Sequence, residues 1–102
     1  MTAHGQSVEA LLDDLWLDLA DLVRLSGVDE PWLLEHLQRG LLVTHAPPAD
    51  TRPRFDAADL RRVRRIACLE RDFDAVPELA ALVVDLEEEL AAMRARLRRL
   101  GL

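Results

Sequence analysis

Histidine and cysteine are among the residue types in this chain that could bind a metal ion or take part in nucleophilic catalysis. The 102 residues include three histidines and one cysteine, Cys68, and none of them stands at the spacing of a metal-ligand motif. The four glycines are scattered, so no glycine-rich loop is available to hold a phosphate group. Adjacent acids such as Glu87, Glu88 and Glu89 are typical of a solvated helix surface. The sequence therefore predicts a protein that is not an enzyme and that has no catalytic residues, metal or cofactor.

One segment, EPWLLEHLQRGLL at residues 30–42, instead carries side chains suited to binding another protein. If Leu33 and Leu37 face the core of the domain, Trp32 and Leu34 lie partly outside. Apolar side chains ringed by acids are typical of a protein-binding surface. The alternative is that Trp32 packs on the rest of the domain and the acids only solvate the helix. The predicted partner-binding residues are Asp29, Glu30, Trp32, Leu34, Glu35 and His36.

Charge is distributed unevenly along the chain. Residues 1–50 carry nine acids and two arginines, a net of −7, whereas residues 51–102 carry ten acids and eleven arginines, a net of +1. DNA-binding surfaces neutralise phosphates with clustered cations, so an acidic first half repels nucleic acid and attracts a basic partner.

The second half nevertheless contains arginines that could contact DNA. They follow a predicted turn and lie on the third predicted helix, where the alternative is a solvated helix face. The candidate DNA-contacting residues are Arg52, Arg54, Arg61, Arg62 and Arg65.

These segments need a scaffold, and the apolar periodicity predicts a mainly α domain. A short strand is expected around residues 15–19, followed by a first helix over Ala20–Ser26 and a turn at Gly27 and Val28. Asp29 should cap the second helix, which runs to Arg39 and stops at Gly40.

A small β-hairpin wing is expected after the second helix. Its strands would be Leu41–His45 and Thr51–Phe55, joined by a proline-containing loop. Asp56 should cap a third helix over Ala57–Arg71, and the residues up to Ala75 break that helix.

The last predicted helix runs from Val76 to about Leu100. In its first half, Leu79, Leu82, Val83 and Leu86 have the spacing of a helix face packed on the body. Its second half has apolar residues at alternating spacings of four and three, which is a heptad seam. The seam favours pairing with a second copy, and the alternative is a helix that folds back on its own domain. The orientation of such a pair is left open. The predicted dimerisation residues are Leu86, Leu90, Met93, Leu97 and Leu100.

The expected organisation is a weakly ordered extension (1–14), a body (15–75) and a terminal amphipathic helix (76–102). No apolar run is long enough to span a membrane, and the first residues lack the pattern of a signal peptide. A cytoplasmic location is therefore expected.

The order of these segments resembles a known superfamily. The runs LADLVRLSGV (19–28), Gly40-Leu41-Leu42 and RFDAADLRRV (54–63) are similar to the opening, the second-helix end and the third helix of MerR-type winged helix-turn-helix proteins. Within that superfamily, the segment DFDAVPEL (72–79) and the leucine-rich helix after it resemble the CbpM chaperone-modulator family.

The resemblance implies a winged helix-turn-helix fold with a terminal pairing helix. It also implies binding to the J-domain of a CbpA/DnaJ-type co-chaperone, which inhibits that protein's co-chaperone and DNA-binding activities. In MerR-type DNA-binding proteins the positions of Leu34, Glu35 and His36 hold arginine and aromatic residues that contact the DNA backbone. Their replacement here disfavours the main alternative, a small MerR-type transcriptional regulator. A generic dimeric adaptor is a third possible function.

Overall fold

The computed structural model describes residues 16–43 and 52–102. Within them the chain forms four helices, α1 (Leu19–Ser26), α2 (Glu30–Gln38), α3 (Ala57–Phe73) and α4 (Pro77–Arg99). This confirms the predicted mainly α class. The chain divides into two compact units, Met1–Arg64 and Arg65–Leu102, and the boundary falls inside α3. The predicted extension at residues 1–14 lies outside the described residues.

Helix α1 is capped by neighbouring residues at both of its ends. The Asp18 carboxylate accepts from the backbone N–H of Asp21 at 2.8 Å, and the Asp21 carboxylate accepts from the N–H of Asp18 at 3.2 Å. This reciprocal capping satisfies N–H groups that have no partner within the helix. Gly27 ends α1 with φ of 81°, in the left-handed region that favours glycine. The predicted turn is confirmed at this glycine.

Helix α2 follows the sequence prediction closely. The Asp29 carboxylate accepts from the backbone N–H of Trp32 at 2.8 Å, and Pro31 occupies the first turn, where its missing N–H costs nothing. Gly40 follows the helix with φ of 75°. Helices α1 and α2 pack against each other, and Leu22 and Leu33 are fully buried.

The predicted wing pairing is not found in the described part of the chain. Phe55 pairs with Leu17 in an isolated antiparallel bridge, with N–H to carbonyl distances of 2.7 and 2.8 Å. No strand forms over the described residues 41–43 or 52–54. Pro53 lacks the N–H group that a paired strand would use at that position. Residues 44–51 of the predicted hairpin lie outside the described residues.

The first unit closes around a core supplied by segments far apart in sequence. Phe55 and Leu17 are buried, together with residues from the start of α3. The Arg64 guanidinium donates to the carbonyl of Leu25 at 2.9 Å, at the C-terminal end of α1. A cation at that position satisfies an open carbonyl and complements the helix dipole. The core residues of this unit are Leu17, Leu22, Leu33, Leu42, Phe55, Ala57, Leu60 and Val63.

The second unit consists of the end of α3 and the whole of α4. Asp74, at φ of 56°, separates the two helices at the break that the sequence predicts. Arg65 on α3 forms an ion pair with Glu87 on α4 at 2.8 Å. Burial on α4 differs from the sequence prediction. The buried residues are Ala80, Ala81 and Val84, whereas Leu79, Leu82 and Leu86, expected to pack on the body, are 51%, 52% and 56% exposed.

Candidate protein-binding surface

The solvent-facing side of α2 is a small apolar surface bordered by acids. Leu34 is 47% exposed at its centre. At about 100° per residue, the side chains at i−4, i−3 and i+4 from Leu34 lie on the same face of the helix, and the side chain at i+1 borders that face. All of them are exposed, and two are acidic. We call this set the α2 surface: Glu30, Pro31, Leu34, Glu35 and Gln38.

Trp32 borders the α2 surface and rests on a buried histidine. The ring centroids of Trp32 and His36 lie 3.6 Å apart with an interplanar angle of 19°. The Nδ1 atom of His36 lies 2.7 Å from the carbonyl oxygen of Trp32, one helical turn earlier. Since a carbonyl only accepts, this bond places a proton on Nδ1. The stack fixes the half-buried indole beside the exposed leucine.

The prediction of His36 as a partner contact needs correction. The residue is only 2% exposed, so its ring lies beneath the surface. A half-apolar side chain such as histidine can fill a core position when its nitrogen finds a partner, as it does here. His36 therefore acts on the α2 surface by positioning Trp32 and offers little area of its own.

Two acids of this region, Asp29 and Glu35, make interactions within their own segment. Glu35 pairs with Arg39 on the next turn at 2.8 Å, and both side chains remain about half exposed. The Asp29 carboxylate caps α2 by accepting from the N–H of Trp32. Asp29 is exposed and lies at the edge of the α2 surface. In residues 16–43 there are five acids and two arginines, so the negative character predicted for this half persists around α2.

Two members of the α2 surface, Pro31 and Gln38, are absent from the sequence-predicted partner set. Helical spacing could have identified them, because they stand three residues before and four residues after Leu34. The prediction selected residues by chemical type, and a proline and a glutamine are not distinctive types.

An open groove of about 500 Å³ lies beside α1 in the same unit. Val23 and Pro53 contribute apolar lining, while Arg24 and Arg52 bring positive charge. Glu30 lines the groove and also belongs to the α2 surface, so the two features adjoin. In α1 the pKa of Asp21 is lowered by its hydrogen bonds with Asp18 and Arg24, which keeps that carboxylate ionised.

The arginines predicted as DNA contacts have several intramolecular partners. Arg62 donates from Nε to the carbonyl of Leu41 at 3.1 Å, just after the end of α2. Arg65 is bound to Glu87 through two nitrogens, and this pair raises the pKa of Arg65 and lowers that of Glu87. Arg52 and Arg61 are exposed, and Arg54 is partly exposed. The set is therefore not a single cationic face open to phosphates.

The lone cysteine lies in a local network at the end of α3. The Sγ atom of Cys68 donates to Asp72 at 3.2 Å. Hydrogen bonds from Arg71 and then from Cys68 lower the pKa of Asp72. Across the described ranges 16–43 and 52–102, no group of three histidine, cysteine or acidic residues is arranged to hold a metal ion.

All five predicted dimerisation residues are exposed on α4. Their exposed fractions are 56% for Leu86, 47% for Leu90, 52% for Met93, 47% for Leu97 and 72% for Leu100. No helix in the described residues is long and apolar enough to cross a membrane. No family model matches the chain, and no curated protein matches it.

Proposed function

We propose that this protein is a chaperone modulator of the CbpM type, with a MerR-like winged helix-turn-helix body. It binds the J-domain of a CbpA/DnaJ-type co-chaperone and inhibits the co-chaperone and DNA-binding activities of that protein. The observation that carries the proposal is the α2 surface, where the exposed Leu34 lies among acids at the place of a DNA-reading helix.

The chemistry of the α2 surface suits a basic protein better than a nucleic acid. An apolar centre gives affinity through burial, while Glu30 and Glu35 orient a cationic partner and increase the association rate. A J-domain engages its Hsp70 partner through a basic helix. Masking of that helix by the α2 surface would inhibit co-chaperone activity by competition, with no catalytic step.

The proposed fold includes the Leu17–Phe55 bridge, which joins the residues before α1 to those before α3. The intramolecular bonds of Arg62 and Arg65 support the protein-binding reading, because a guanidinium that stabilises the fold is less available to phosphates.

The test is a calorimetric titration of the full chain with the isolated J-domain of the co-chaperone from the same host, at low and moderate salt. We expect saturable binding that weakens as salt screens the charges. Absence of heat at tens of micromolar J-domain, checked by a second method such as fluorescence anisotropy, would refute the proposal.

The second candidate is a small MerR-type transcriptional regulator, favoured by the exposure of Arg52 and Arg61. It predicts binding to duplex DNA with a steep loss of affinity as salt increases, because neutralised phosphates release counterions. Anisotropy of a labelled duplex titrated with the protein separates this candidate from the first.

A further inference from the structure

The α2 surface alone is small for an interface with a folded protein. It consists of five exposed side chains on a nine-residue helix, with Trp32 at its border. A stable protein–protein interface uses about 20–30 residues on each side and buries about 800 Å² of each partner. A protein bound to the α2 surface must therefore also contact neighbouring parts of the first unit.

The groove beside α1 is continuous with the α2 surface. Glu30 lines the groove and belongs to the α2 surface. It stands four residues before Leu34, which is about 6 Å along the helix axis. A partner that covers both residues therefore reaches the edge of the groove. The volume of about 500 Å³ is within the range of sites that take drug-sized ligands, so the groove can accept a few side chains.

Helix α1 supplies most of the apolar lining of the groove. Leu19 and Val23 stand one turn apart and are half-buried, and Ala20 beside them is exposed. At about 100° per residue, Val23 and Ala20 lie about 100° and 160° around the helix from the buried Leu22. Pro53, from the segment before α3, adds further apolar lining. Burial of these side chains by a partner would supply apolar contact area that the α2 surface lacks.

Arg24 keeps much of its guanidinium exposed in the groove. Its Nη2 atom donates to the Asp21 carboxylate at 2.7 Å, and the side chain remains 66% exposed. Because a guanidinium has five N–H donors, Arg24 can hold Asp21 and a second carboxylate at the same time. Arg52 adds another positive charge to the lining.

The two acids of the lining have other roles. The Asp18 carboxylate caps α1, where it accepts from the backbone N–H of Asp21 at 2.8 Å. Glu30 adjoins the α2 surface, whose acids attract a basic helix. The groove and the α2 surface therefore differ in the charge that they select.

We propose that the groove is a second contact for the same partner, and that it takes a segment with an apolar side chain next to an aspartate or glutamate. The contact rests on the proposed function, in which the α2 surface binds the basic helix of the J-domain. The segment that adjoins this helix enters the groove. Its apolar side chain lies against Leu19 and Val23, and its carboxylate pairs with Arg24.

Opposite charges at two adjoining contacts determine orientation and specificity. Glu30 and Glu35 attract the cations of the bound helix, whereas Arg24 repels them, so the helix is held on the α2 surface and out of the groove. A protein with basic residues at both places meets repulsion at the groove. The groove therefore selects, among basic partners, those with an acid beside the basic helix.

The first test fills the groove. Ala20 is exposed at the second position of α1, so its replacement does not disturb the buried residues. In calorimetric titration of the full chain with the isolated J-domain, Ala20→Trp should increase the dissociation constant roughly tenfold, because the indole occupies the space of the partner's side chain. Ala58→Trp is the matched control and should bind as the wild type does, since Ala58 is exposed at the second position of α3 in the same unit.

The second test reverses the charge of Arg24, and the sign of its result is informative. Arg24→Glu makes the protein more acidic, so net charge alone predicts tighter binding to a basic J-domain. Loss of a carboxylate partner predicts the opposite, and we expect the dissociation constant to rise roughly tenfold. Arg99→Glu makes the same change in net charge on α4 in the other compact unit, and it should not weaken binding.

Charge exchange identifies the partner's residue. Each aspartate and glutamate of the J-domain is changed in turn to arginine, and each variant is titrated with the wild type and with R24E. One of these changes should weaken binding to the wild type and restore binding to R24E. Absence of any such residue would contradict an acidic occupant.

These outcomes separate the groove contact from the proposed function. Thermal unfolding of each variant confirms that its fold is intact. Wild-type affinity in both A20W and R24E would overturn the groove contact, and weaker binding of Glu35→Arg in the same series would leave the proposed function standing. Tighter binding of R24E would show that the groove takes a basic segment, which also overturns the proposal. No binding of the J-domain by the wild type would overturn both.

Discussion

Charge reversal at Glu35 separates the binding role of the α2 surface from its contribution to folding. The side chains of Glu35 and Arg39 form an ion pair at 2.8 Å, but they are 54% and 42% exposed. Exposed pairs at this helical spacing contribute about 0.3–0.5 kcal/mol, and a like-charge pair costs a similar amount. We therefore expect Glu35→Arg to lower the free energy of unfolding by about 0.5–1 kcal/mol, which leaves the fold intact.

The effect on binding should be larger. A basic J-domain surface loses one exposed attraction and gains one repulsion, with a combined cost of about 1–2 kcal/mol. Since 1.4 kcal/mol corresponds to a factor of ten, the dissociation constant should rise about 5- to 30-fold. The ratio should shrink at higher salt, because the lost and added interactions are both screened.

Calorimetric titration at two ionic strengths, with thermal unfolding of each variant, measures both quantities. Glu88→Arg provides the matched control, as it makes the same change in net charge on α4 in the other compact unit. An unchanged dissociation constant for E35R would refute the role of the acidic border. An equal loss of affinity in E88R would show that net charge, and not the α2 surface, governs binding.

Three further changes test the fold. Phe55→Ala removes a side chain that is 1% exposed, and it should lower the free energy of unfolding, measured by urea denaturation, by about 3–5 kcal/mol. The backbone bridge to Leu17 can still form in this variant. A loss below about 1 kcal/mol would contradict the place of Phe55 in the core. Gly27→Ala should cost about 1–2 kcal/mol through its positive φ alone, since an added Cβ meets no atom within 4 Å, and Gly27→Asn should cost less. Arg65 lowers the pKa of Glu87 from its ordinary value of 4.5, so the stabilisation from this pair is present above pH 4.5 and is lost as the pH falls through the lowered pKa. Glu87→Gln should therefore flatten the decline of the free energy of unfolding below pH 4.5. The same pH dependence of unfolding in both proteins would contradict this.

The sequence predicted the elements whose causes are local. Asp29 and Gly27 act within one turn of their own helix, and the structure places both at the expected helix ends. The span of α4 also agrees, because its start and end depend on residues beside it.

The sequence did not predict which distant segments meet. A residue such as Phe55 in an extended run can pair with any other extended segment, and nothing in its neighbourhood selects Leu17 over the residues after α2. On α4, the large apolar residues suggested contact with the body. Small residues allow closer approach of helices, and Ala80 and Val84 are the ones buried.

In the candidate surface, Leu34 and its acids are exposed as the sequence suggested, whereas His36, which the prediction included as a partner contact, is buried. Trp32 and His36 are both chemically ambivalent, since each combines an apolar ring with a polar nitrogen. Their stacking decides which one lies below the other, and that geometry is not encoded in spacing alone.

The packing of the first unit limits how well a peptide could reproduce the α2 surface. Helix α2 has nine residues, and isolated helices shorter than about 12–15 residues are marginal in water. In the protein, α2 packs against α1, and its Leu33 and His36 side chains are buried in the first unit. A synthetic peptide of α2 would lose these contacts, and the cost of ordering the helix would offset part of its binding free energy. A useful peptide inhibitor would need a covalent staple on the face of Leu33 and His36, opposite Leu34, in place of the tertiary contacts.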